Sequence, residues 1–166
     1  MHNKVKDTAF LGLCVSLALG LAYLEMLMPP LFASVPGIKM GLPNIILIFL
    51  LYRRNLAAAA TVSLLRMVLV MLLFGNTMAF LYSLAGGVLS MAVMVLLKRL
   101  NFLSVAGVSV AGGITHNVGQ ILMAMWLMNT AELGYYLIVL AVTGTIAGLL
   151  IGLCAAGLIR RIPTRF

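Results

Sequence analysis

The sequence predicts an all-α integral membrane protein, a bundle of six transmembrane helices with both termini on the cytoplasmic side. Three observations carry this. The 166 residues are 64% hydrophobic and only 8% charged, against roughly a quarter charged in a soluble domain, so a soluble fold could not keep its surface wet. Apolar runs alternate with short polar or Pro/Gly-rich breaks. Basic residues cluster where those runs end: Lys4 and Lys6, Arg53 and Arg54, Lys98 and Arg99, then Arg160, Arg161 and Arg165.

The length fits one domain, residues 1–166. Span one covers about 8–28; it lacks a small-residue cleavage site before a polar region, so it reads as a retained helix rather than a signal peptide. A connection over 29–42 holds Pro29, Pro30, Pro36 and Gly37 and exits at Pro43. Span two covers about 43–52 and ends in the turn Arg53-Arg54-Asn55. Span three, about 56–74, closes on Gly75-Asn76-Thr77. Span four covers about 78–97, span five about 102–128 and, after a polar turn at 129–134, span six about 135–159.

Span two is short, since crossing the hydrocarbon normally takes about 20 residues. If it crosses, all four basic clusters share one face and only Lys39 and Arg66 lie elsewhere. If it does not, the clusters split. The positive-inside rule favours crossing, with the 29–42 connection and the turns near Asn76 and Glu132 outside.

Small residues recur every fourth position: Gly12, Ser16 and Gly20 in span one; Gly107, Ala111, Thr115 and Gly119 in span five; Gly144, Gly148, Gly152 and Ala156 in span six. Such rows let backbones approach closely in lipid, where packing drives association. They serve either the bundle itself or, for the row in span one, a separate membrane subunit. Cys14 and Cys154 lie inside apolar runs and are expected as buried thiols, not a disulfide.

A polar side chain inside a span costs a few kcal/mol unless paired or hydrated, roughly 3 for a charge on insertion scales. Arg66 sits about 16 Å along span three at a rise of 1.5 Å per residue. Glu25 lies near the outer end of span one, and Asn44 and Asn76 are placed to cap the outer ends of spans two and three. Span five carries His116, Asn117 and Gln120, with His116 and Gln120 on one face by their i,i+4 spacing. Two readings compete. In one, Arg66 pairs with Glu25 and the span-five cluster bonds helices together. In the other, His116, Asn117, Gln120 and Arg66 line an outward-facing cavity for a small-molecule substrate, with Asn44 at its rim, Lys39 above it and Glu25 as counter-ion. Tyr82, Trp126, Tyr135 and Tyr136 could flank a ring or anchor the interface.

Enzyme chemistry fits poorly. The acidic residues are Asp7, Glu25 and Glu132, which offer no paired carboxylates for a metal or for acid–base work. There is no phosphate-cradling Gly-Lys-Ser/Thr loop, no metal-ligand spacing and no basic stripe interleaved with aromatics for nucleic acid. No catalytic residue, metal or cofactor is expected.

The stretches Gly112-Gly113-Ile114-Thr115-His116-Asn117-Val118-Gly119-Gln120 and Pro36-Gly37-Ile38-Lys39-Met40-Gly41-Leu42-Pro43-Asn44, in a six-span chain with inside termini, resemble the Gx transporter family. That membrane family is also labelled heptaprenyl diphosphate synthase component I. It is similar in turn to the substrate-binding S-components of energy-coupling factor (ECF) vitamin transporters. The resemblance implies capture of a vitamin- or precursor-like molecule from outside, with import driven by a transmembrane T-component and two cytoplasmic ATPase subunits. It also implies a lid in the first outer connection and a T-component contact on span one, for which Gly12, Ser16 and Gly20 or the neighbouring Ala18 and Ala22 are candidates. The alternative is a non-catalytic membrane accessory of polyprenyl diphosphate or quinone synthesis, since no Asp-Asp pair is present to hold magnesium diphosphate. Metal uptake is suggested by the Met1-His2 opening, but Lys4 and Lys6 put that end inside.

Overall fold

Asparagines punctuate this chain. Asn55 Oδ1 accepts the Ala58 N–H at 2.8 Å and caps a helix start, as Asn does readily. Asn101 and Asn129 end helices at φ 62° and 47°, the left-handed conformation that Asn tolerates. The start of another helix is closed by Ser104, whose Oγ accepts the Gly107 N–H at 3.2 Å.

Between such stops the computed structural model, which describes residues 2–27, 41–74 and 77–162, folds into helices. They are α1 (His2–Leu27), α2 (Asn44–Arg53), α3 (Leu56–Phe74), α4 (Thr77–Leu100), α5 (Val105–Met128) and α6 (Leu137–Arg161). A short 3-10 helix at Glu132–Tyr136 leads into α6, and no strand occurs among the described residues. The helices run past the expected apolar limits: α1 begins among the charged residues, and α4 and α6 carry their basic clusters in their last turns.

Four segments are long and apolar enough to cross a membrane: Lys4–Leu27, Leu56–Phe74, Thr77–Leu100 and Glu132–Arg161. α5 equals α4 in length at 24 residues, but His116, Asn117 and Gln120 dilute its apolar character. α2, with 10 residues, is short. Leu13, Leu72, Val88, Leu122 and Ile146 are each more than half exposed. Apolar surface on every side of a bundle has hydrocarbon, not water, as its natural solvent. This is a multi-pass membrane protein.

α5 packs between α4 and α6, and α2 lies against α1, α3 and α6. The small-residue row of α6 faces α5 as expected: a Cβ on Gly148 would stand 2.8 Å from the Val110 Cα, and one on Gly144 3.0 Å from the Gly113 O. Its counterpart on α5 is different. Ala106, Ser109 and Gly113 meet α6, whereas Gly107 lies against Leu103 and Ser104, and Gly119 against Ala85 and Gly86 of α4. Each four-residue step overshoots a helical turn by about 40°, so a row from 107 to 119 rotates from one neighbour to the next.

One end of the bundle gathers the basic residues. Arg54 pairs with Asp7 at 2.8 Å and lies over the Phe10 ring. The Arg53 guanidinium donates to the Ile159 carbonyl, and Lys98 Nζ donates to the Leu51 carbonyl. These contacts join the start of α1 to the ends of α2, α4 and α6. Here sits the core: Ile46 through Leu51 of α2 are all buried, with Ala18, Val62 and Val108 fully enclosed around them.

Two expectations change. Asn44 does not cap α2: it is the first helical residue, Pro43 holds the cap position and no side-chain cap bond forms, because the turn is already closed by the Asn44 N–H to the Gly41 carbonyl at 2.8 Å. Cys154 is exposed on α6, unlike the buried Cys14, and both thiols are free; helical rotation turns residue 154 away from the α5 contact at Gly152. Asn76 and most of the 29–42 connection lie outside the described residues.

Candidate functional site

A helix of 10 residues rises about 15 Å, against about 36 Å for α5 with 24. Away from the basic end, therefore, no helix among the described residues continues the line of α2. A cavity of about 210 Å³ opens there. α2 contributes its first two turns, through Asn44 and Ile48, and the deep end reaches Ser90, Met94 and Ser109. Volume of this order could hold about seven water molecules at a liquid share of about 30 Å³ each, far more than a packing defect.

Six residues singled out from the sequence line this one space: Glu25 of α1, Asn44 of α2, Arg66 of α3, and His116, Asn117 and Gln120 of α5. Lys39 lies outside the described residues. Gly86 on α4 makes room for the cluster, since a Cβ there would stand 2.6 Å from the His116 carbonyl and 2.9 Å from Gln120 Cγ. Asn117 divides its bonding: Nδ2 donates to the Leu140 carbonyl of α6 at 2.7 Å, tying the helices together, while its side chain still borders the cavity.

Arg66 is the unusual member. Its Nε is buried with no hydrogen-bond partner, although burying an unpaired donor is costly in so apolar a setting. Glu25 and His116 are near enough to interact with it electrostatically. Glu25 Oε1, however, accepts the N–H of Gly41, where φ is +74°; a residue with a side chain would be strained there. Glu25 thereby fastens the entry to α2 onto α1. The ion pair found among the described residues is Arg54–Asp7, at the other end.

The partner-contact candidates of α1 separate by face. Ala18 is fully buried and Ala22 is 7% exposed, with Ala22 bordering the cavity; both are used inside the chain's own packing and have no surface for a partner. Gly12, Ser16 and Gly20 are exposed, and a Cβ on either glycine would meet nothing within 4 Å. Ser16 Oγ donates to the Gly12 carbonyl at 3.1 Å.

Sequence reasoning missed the apolar wall. Met67, Met71, Phe74 and Phe80 line the cavity, and Phe74 stacks on Tyr23 with ring centroids 6.0 Å apart. The signal was present in part: Arg66, Val70 and Phe74 follow at i, i+4 and i+8 on one face of α3. The aromatics that could have flanked a ring do not line the cavity; Trp126 and Tyr135 are 76% and 83% exposed, as interfacial anchors would be.

A family model described as heptaprenyl diphosphate synthase component I matches residues 14–158, from the buried Cys14 of α1 nearly to the end of α6. No curated protein and no solved structure matches the chain.

Proposed function

The chain belongs to the heptaprenyl diphosphate synthase component I family, and from that premise we propose that it is the substrate-binding subunit of an ECF-type importer. In this reading all six helices cross the cytoplasmic membrane and both termini are inside. Support for the orientation comes from the basic clusters at one end of the bundle, which the positive-inside rule assigns to the cytoplasm. The cavity then occupies the outer half and opens towards the substrate side.

The single observation that carries the proposal is the convergence of Glu25, Asn44, Arg66, His116, Asn117 and Gln120 on one cavity. Ionisable residues at membrane depth mark functional sites by default. The role is binding, not catalysis. Asp7 is engaged by Arg54 at the basic end, Glu132 sits in the 3-10 helix, and Glu25 is the one carboxylate at the cavity. The exposed row Gly12, Ser16 and Gly20 supplies a flat face for a T-component, which would work with two cytoplasmic ATPases to drive import of a vitamin- or precursor-like molecule.

The family's description favours a second reading, a non-catalytic membrane accessory of polyprenyl diphosphate synthesis. Affinity purification from native membranes separates the two. Recovery of a T-component with two ATPases supports transport; recovery of a soluble prenyl synthase without them overturns it.

A further inference from the structure

Among the described residues Arg66 is the only cationic side chain bordering the cavity, and its buried Nε has no hydrogen-bond partner there. Guanidinium presents donors in a planar fork that matches the paired oxygens of a carboxylate or phosphate. The cavity surface beside it is of two kinds. His116, Gln120 and Asn44 are polar groups able to bond neutral parts of a ligand, while Met67, Met71, Phe74 and Phe80 form an apolar side. Polyphosphates fit badly, because one guanidinium faces them and the Glu25 carboxylate borders the same space. A cation would be repelled by Arg66, and a neutral ligand could accept a bond from Nε but would bring no charge to offset the buried guanidinium.

We propose that the cavity takes a small amphiphile with a single oxyanion, carboxylate or phosphate, bound by the Arg66 guanidinium, its apolar body lying against Met67, Met71, Phe74 and Phe80. This rests on the binding-subunit reading above. The same chemistry could come from a soluble metabolite or from a membrane lipid headgroup.

The test uses the full chain purified in mild detergent, as wild type, Arg66→Met, Arg66→Lys and His116→Ala, with folding checked by size exclusion and thermal melting. An apolar side chain of similar length removes the desolvation cost of a buried guanidinium, and Glu25 keeps its bond from the Gly41 N–H, so Arg66→Met is expected to fold. Compounds released on denaturation are identified by mass spectrometry. Wild type should release one carboxylate- or phosphate-bearing compound, Arg66→Met at least about tenfold less, and Arg66→Lys, which keeps charge without the fork, an intermediate amount. A compound also found among the extracted lipids identifies the lipid source; one found only in the aqueous extract identifies a soluble metabolite.

Release of a neutral or cationic compound overturns the oxyanion assignment; if His116→Ala abolishes its retention, the cavity still binds and only the ligand class is wrong. Retention indifferent to both substitutions overturns the binding site as well. Should wild type emerge empty, melting is measured with acetate, inorganic phosphate, octanoate, octyl phosphate and octanol. Stabilisation of wild type by octanoate or octyl phosphate, lost in Arg66→Met, supports the proposal. Equal stabilisation by octanol, or none by any probe, overturns it.

Discussion

Val62 and Arg66 stand one turn apart on α3, yet Val62 is fully enclosed in apolar packing while Arg66 borders a cavity with a buried, unbonded Nε. The same helix thus passes from a sealed half of the bundle to a hollow one. The difference traces to α2, whose buried residues Ile46–Leu51 fill the basic half and which begins only at Asn44. Close packing and cavity are divided along the bundle axis by the length of one helix. Stability should therefore depend on one half, and binding on the other.

The largest effect should come from Gly113→Leu. A Cβ there would lie 2.5 Å from the Gly144 carbonyl oxygen, backbone that cannot move aside without separating α5 from α6. Loss of monodisperse folded protein on size exclusion is expected, because overpacking typically costs about 1–3 kcal/mol and more where, as here, the clash is with backbone. Next is Leu50→Ala in the sealed half: Leu50 is fully buried, and a destabilisation of about 2–5 kcal/mol should appear in denaturant unfolding. If the protein melts unchanged, α2 does not hold the core.

In the hollow half the balance should reverse. His116→Ala or Gln120→Ala is expected to weaken binding of the native ligand at least about tenfold, roughly 1.4 kcal/mol, with the melting temperature of the empty protein near that of wild type. Normal binding by both variants would make the cluster structural. The smallest effect belongs to Asn117→Ala, which removes the bond to the Leu140 carbonyl. Interhelical hydrogen bonds in membranes average about 0.6 kcal/mol, so a slight loss of thermal stability is expected. A loss as large as that of Leu50→Ala would erase the distinction between the halves.

Much of this was legible beforehand. α3 occupies Leu56–Phe74, the limits read from the sequence, and its start is set by Asn55, whose side chain caps it. The polar members of the cavity were conspicuous for a simple reason: His116 or Arg66 in an apolar run needs an explanation. Met67, Met71, Phe74 and Phe80 needed none, since an apolar residue in an apolar run carries no signal of its own. The close packing of small residues on α5 was legible, with Gly119 against α4, but which neighbour each position meets was not, because a four-residue row rotates about the helix.

Composition, apolar run length and the placement of lysines and arginines determined by themselves that this chain is a helical membrane protein and which segments form its helices, though not every helix limit. Only the tertiary structure decided how each helix is turned. In a bundle surrounded by hydrocarbon both faces of a helix are apolar, so hydrophobicity does not set its rotation; close fit between neighbours does. That fit put Ala18 and Ala22 inside and left Gly12, Ser16 and Gly20 outside. It also brought residues from α1, α2, α3 and α5 around the space that a short α2 leaves open.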